Sequence, residues 1–243
     1  MTRPASSLIR ALKKSLRAAA DPAKAPGMQA YMKSSMPYLG VQAPQLRLAV
    51  RAVFAAHPLE SFEEWRDAVM EIWREARYRE QRYAAIELAG YGCYRTFRCL
   101  DALPMYEEMI TSGAWWDFVD AIATRQLGEL LRKHPVEMSA ILREWAVCDD
   151  NWKRRSAILA QLNFKSDTDL KLLYDCIRPS LGAPEFFLRK GIGWALRQYA
   201  RTNPDEVIRF VRRNQARLSP LSKREALKHL ADGNPESRTQ NTE

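Results

Sequence analysis

The sequence predicts an all-α fold, a solenoid of stacked helical hairpins, and three observations carry that expectation. Apolar residues recur at helical spacing along nearly the whole chain, with almost no strand-like alternation. The breaks between these stretches are short and hold Gly or Pro, as at Tyr91-Gly92, His134-Pro135, Leu181-Gly182-Ala183-Pro184 and Ser219-Pro220. One small pattern, a basic residue followed by small and aliphatic ones, returns along the helices at a near-constant interval.

The elements follow in order. Residues 1–25 are acid-free up to Asp21 and carry Arg and Ser like a transit peptide, but Leu8, Leu12 and Leu16 recur four apart, which reads as an N-terminal capping helix packed on the body. Pro44 opens QLRLAVRAVFAA without a polar cap, and Ser61 stands as N-cap before FEEWRDAVMEIWREARY. Asn203-Pro204 opens DEVIRFVRR with Pro in the first turn. Residues 233–243, GNPESRTQNTE, lack apolar content and read as a disordered tail, leaving 1–232 as a single repeat domain. Trp65, Trp73, Trp115, Trp145 and Trp152 are expected in packing roles.

The recurring pattern begins at Arg47, Arg82, Arg155, Lys190 and Arg224, with intervals of 35, 73, 35 and 34. The interval of 73 is a double step, and near its midpoint stands Asp120-Ala-Ile-Ala, which divides it into 38 and 35. An acid therefore occupies a slot that holds a base elsewhere. A period near 35 containing two helices marks an α-solenoid. The Trp, Leu-Gly and Tyr pattern of tetratricopeptide repeats is absent, which favours a HEAT-like array. If the recurring position faces inward, the superhelix has a concave basic groove suited to a phosphate backbone; if outward, a solvated face.

Charge agrees with an anionic partner. The formal net charge is +9, and residues 151–243 hold 18 Lys/Arg against 10 Asp/Glu. Cys93, Cys99, Cys148 and Cys176 form no CxxC pair and no zinc-ligand spacing with His57, His134 or His229, so free thiols in a reducing cytoplasm are expected and no metal or other cofactor. No apolar run reaches membrane-spanning length. A monomer is expected.

Several runs carry a resemblance. YMKSSMPYLGVQAP, WWDFVD followed by LGELLRKHP, NWKRRSAIL, and EFFLRKGIGWALRQYARTNP with LSKREALKH occur in this order between Met28 and His229. Together they resemble the bacterial DNA alkylation repair glycosylases built from HEAT-like repeats, the AlkD type. The run AIATRQLG and the direct Asn151-Trp152 junction depart from that pattern. The resemblance implies excision of alkylated bases from double-stranded DNA, with Asp120, Trp116, Arg155 and Trp194 as the catalytic set. It also implies that the family works without a base-swallowing pocket. Tyr31, Lys33, Arg47, Arg82, Arg154, Lys190, Arg197, Lys223 and Arg224 are the expected DNA contacts.

The residue types suit such chemistry. A carboxylate stabilises the oxocarbenium-like sugar that forms as a cationic purine departs. Indole faces attract cations, so Trp116 and Trp194 favour a charged lesion. Arg155 is expected to grip a phosphate and to hold Asp120 ionised. Two other classes stay open on the sequence: a HEAT-like protein scaffold, and a binder of DNA structure that does not excise. Asp117 has no assigned role.

Overall fold

The computed structural model describes residues 3–230, which form helices and short connections with no strand among them. The expected tail at 233–243 lies outside the described residues. The chain divides into two compact units, Met1–Lys133 and His134–Glu243. The uneven charge seen about residue 150 disappears at this boundary: the first unit holds 19 Lys/Arg and 15 Asp/Glu, the second 19 and 14.

The first unit opens with α1 (Arg3–Ala18), which packs on α3 (Ala43–Ala56) and α4 (Phe62–Arg74). Leu8, Leu12 and Leu16 are fully buried, each burial contributing roughly 1.5–3 kcal/mol. The short α2 (Ala25–Met32) ends at Lys33, in left-handed conformation with φ 49°. Ser61 caps α4, its Oγ accepting from the Glu64 amide at 3.2 Å. Beyond it come α5 (Arg79–Ala89), α6 (Leu103–Gly113) and α7 (Trp116–Ala121). A π-helical segment, Ile122–Leu127, runs straight into α8 (Gly128–Lys133). Helices α1, α4 and α6 form one layer, and α3, α5 and α7 the other. Trp65, Trp73, Tyr106 and Phe118 fill the space between them.

The second unit repeats the plan. Helices α9 (Pro135–Val147) and α11 (Leu170–Ile177) pack together in one layer. In the other, α12 (Phe186–Ala200) packs against both α10 (Asn151–Leu159) and α14 (Pro220–Leu227), while α13 (Pro204–Arg213) abuts α12 and α14. Asp150 caps α10 by accepting from the amides of Trp152 and Lys153, both at 2.8 Å, so the Asn151-Trp152 junction is an ordinary capped helix start. Asn203 and Ser219 cap α13 and α14 in the same manner. Trp145 is buried like Trp65 and Trp73, whereas Trp115 and Trp152 are half-buried.

The recurring sequence position falls on the second helix of each hairpin. Arg47 lies on α3, Arg82 on α5, Asp120 on α7, Arg155 on α10, Lys190 on α12 and Arg224 on α14. The period near 35 is therefore the length of one helical hairpin. No described helix is long and apolar enough to cross a membrane.

Candidate active site

In the first unit the residues expected to be catalytic, Trp116 and Asp120, sit on α7. Trp116 and Asp120 are four apart, one turn along the same face, and both are half-buried. The helix begins after a left-handed Ala114 (φ 40°), and the side chain of its N-cap Trp115 does not cap the first turn. What holds its first turn is Asp117. Arg79 Nη2 donates to Asp117 Oδ1 at 2.5 Å, and Tyr83 Oη donates to Asp117 Oδ2 at 2.5 Å. Side-chain exposure is 7% for Arg79 and 12% for Asp117, so the pair is shielded from solvent. Burial, the largest influence, would lower the Arg79 pKa, but Asp117 and Tyr83 together more than offset it and the guanidinium is held above its ordinary value. Tyr83 is pushed far up, by burial first and by the Asp117 charge second.

The same two partners grip the neighbouring residue. The Arg79 guanidinium lies 4.1 Å from the Phe118 ring centroid, and Tyr83 packs on that ring at 5.2 Å. Arg79 also donates to Tyr83 Oη (3.0 Å) and Ser34 Oγ (3.3 Å), and Tyr38 Oη lies 2.9 Å from Tyr83 Oη. Next to Arg79, the fully buried Glu80 carboxylate accepts from the amides of Leu39, Gly40 and Val41 at 2.9–3.1 Å. The loop after Lys33 is thereby tied to the start of α5.

The unusual run AIATRQLG is the π segment. There Thr124 Oγ1 donates to the Asp120 carbonyl at 2.7 Å. Gln126 Nε2 donates to the Ile86 carbonyl at 3.2 Å, and Arg125 Nη1 pairs with Glu87 Oε1 at 2.9 Å. Asp120 thus stands between two attachments of its helix to α5.

A cleft of about 290 Å³ opens beside these residues, within the first unit. Met28, Met32, Val41, Leu46 and Ile86 are among its apolar lining, and Tyr83 and Asp117 among its polar lining. Tyr31, 78% exposed, and the exposed Arg47 also line it. Lys33 is exposed near the end of α2. Arg82 is placed otherwise: its guanidinium lies over the Trp73 ring at 4.7 Å, and burial together with the Arg79 charge lowers its pKa.

In the second unit Trp194 is half-buried on α12. Arg155, 4% exposed, donates through Nη1 to the Phe187 carbonyl, at the start of α12. A methyl group at Gly191 would come within 3.0 Å of that same nitrogen, so the absence of a side chain there lets Arg155 lie against the helix. Arg154 donates to the Pro179 carbonyl and to Ser180 Oγ. Lys190 pairs with Glu225 Oε1 at 2.8 Å, and Arg197 pairs with the other oxygen of the same carboxylate. Both hydrogen bonds hold the Glu225 pKa below the usual range, the Lys190 contact most strongly. Lys223 is half-buried and Arg224 exposed on α14.

Sequence reasoning missed the role of Asp117 and the Glu225 pair. A signal existed for the first: Asp117 stands 34 residues after Tyr83 and 38 after Arg79, one hairpin on. Glu225 likewise follows Lys190 by 35 residues.

A family model described as DNA alkylation repair enzyme matches residues 12–230. The chain is 31% identical to a solved structure described as a predicted DNA alkylation repair enzyme from Enterococcus faecalis, with a TM-score of 0.76, over 88% of this chain and 97% of that one. No curated protein sequence matches.

Proposed function

Because the chain belongs to the DNA alkylation repair enzyme family, we propose that it is a monofunctional DNA glycosylase. Its substrates are cationic alkylated purines of the 3-methyladenine and 7-methylguanine class in duplex DNA, and it leaves the strand uncut. One observation carries this reading: Trp116 and Asp120 share a half-buried face of α7.

Alkylation at N3 of adenine or N7 of guanine gives the purine a positive charge. When the C1′–N9 bond breaks, its electron pair neutralises the departing base and the charge passes to the sugar. The Asp120 carboxylate stabilises that developing cation and orients the water whose oxygen bonds to C1′; the proton lost by the water passes to solvent. Trp116 and Trp194 attract the charged purine before the bond breaks, each indole contact contributing roughly 0.5–2 kcal/mol. Arg155, buried against the start of α12, braces the helix that bears Trp194. No lysine occupies the slot of Asp120, so no Schiff-base step and no strand cleavage enter the scheme.

The four residues come from three hairpins, those of α7, α10 and α12, and the scheme contains no base-flipping step. Tyr31, Lys33, Arg47, Lys190, Arg197, Lys223 and Arg224 supply contacts to the duplex, the cations to its phosphates. Arg82 and Arg154, bound up in ring and main-chain contacts, contribute less.

Incubating the full chain with a duplex that holds a single 7-methylguanine tests the reading. The expected products are free 7-methylguanine and an abasic site that breaks only on alkaline treatment. Tight binding without release of base would replace this reading with that of a DNA-structure binder. No binding at all would leave the scaffold.

A further inference from the structure

We propose that Asp117 is a positioning residue, pinned by Arg79 and Tyr83 so that α7 presents Asp120 and Trp116 at one fixed rotation. This rests on the glycosylase reading for its consequence in rate, but not for its structural content.

The short α7 has little of its own to hold it. It spans six residues, its N-cap side chain does not cap the first turn, a left-handed alanine precedes it, and a π segment follows it directly. A helix this short is not stable by itself and takes its orientation from what it packs against. Phe118 and Val119, both fully buried, supply an apolar anchor, but apolar contacts are non-directional and set the rotation of the helix less sharply than paired hydrogen bonds do. Asp117 fixes that rotation, because its two oxygens are taken by two different side chains at 2.5 Å each, from residues four apart on α5.

The lever arm is short. Asp117 and Asp120 are three residues apart, so their side chains leave the helix about 60° from one another, and any roll at the pin is transmitted in full to the carboxylate. Downstream, Gln126 on the Ile86 carbonyl and Arg125 on Glu87 form the second attachment to α5. Both Gln126 and Arg125 belong to the π segment that follows α7 directly. Asp117 therefore acts on the reaction through Asp120 and has no contact with substrate in the scheme.

The test uses Asp117→Asn and the milder Tyr83→Phe in the full chain, at a temperature where circular dichroism shows each variant folded. Three quantities are read: single-turnover release of 7-methylguanine with enzyme in excess, Kd for the same duplex, and amide hydrogen exchange over residues 116–121. The expected result for Asp117→Asn is release slowed about 10²-fold with Kd changed by no more than about 2-fold, the signature of a displaced catalytic group. Tyr83→Phe should fall between this and wild type, and exchange over 116–121 should quicken in both.

Wild-type release from both folded variants overturns the proposal, as does a rate loss that only mirrors the unfolded fraction or weakened binding. Absence of release from the wild type itself would defeat the glycosylase reading and leave hydrogen exchange to decide the pin. In that case faster exchange in Asp117→Asn supports it, and unchanged exchange overturns it.

Discussion

At the scale of single residues, the chain places carboxylates where main-chain amides or cations would otherwise be unsatisfied. Glu80 is fully buried and accepts from three consecutive amides. Replacing it by Gln removes the charge and, whichever way the amide turns, sets an N–H₂ against at least the Leu39 donor. We expect Glu80→Gln to cost about 3 kcal/mol, lowering Tm by roughly 6–12 °C for a chain of this size; a shift within error would mean that the loop after Lys33 is held by other contacts. Glycines make a second, paired case. A Cβ at Gly193 would meet the Glu225 Cβ at 2.5 Å and the Ser222 carbonyl at 3.1 Å, whereas one at Gly27 meets nothing within 4 Å. In urea melts, Gly193→Ala should destabilise by about 1–2 kcal/mol and Gly27→Ala should stabilise by about 0.5 kcal/mol. Residue roles of this kind were only partly legible. Trp116 and Asp120 are visible as a pair because helical spacing alone puts them on one face. Asp117 is not, since its meaning lies in Arg79 and Tyr83, which only folding brings to it.

At the scale of elements, helix boundaries were legible wherever a cap announced them: Ser61 and Asn203 stand at the positions their spacing predicts. The π segment was visible only as an unfamiliar run, because an added residue in a helical turn changes hydrogen bonding without breaking apolar periodicity. The attachment between α12 and α14 gives an element-scale prediction in pH. Glu225 has its pKa depressed in the folded chain, chiefly by the Lys190 hydrogen bond. A depressed carboxylate contributes stability that is fully present above its unfolded value, near 4.5, and that is lost as pH falls through the lower folded value. Subtracting the pH–stability curve of Glu225→Gln from that of wild type should therefore leave a positive difference above pH 4.5 that shrinks on acidification. A difference independent of pH would show that the carboxylate contributes through packing alone.

At the scale of the whole molecule, the all-α repeat class and the hairpin period were legible because both are one-dimensional properties of a chain that repeats. The division at Lys133 was not, and neither was the even sharing of charge between the two units. The expected row of equivalent cations also proved uneven. Arg47 and Arg224 are exposed, Arg155 is buried and Lys190 pairs with Glu225, because equivalent positions in successive hairpins meet different neighbours. If the cations assigned to the duplex hold it through about six phosphates, log K should fall against log salt concentration with a slope of about −5; a slope flatter than about −2 would remove the phosphate contacts from the account. The central claim, however, concerns one carboxylate. Single-turnover release of 7-methylguanine by folded Asp120→Asn, at protein concentrations saturating for binding, tests it most directly. Loss of the charge facing the sugar cation should slow release by about 10²–10³-fold while the duplex is still bound, and release at the wild-type rate would contradict the assignment of Asp120.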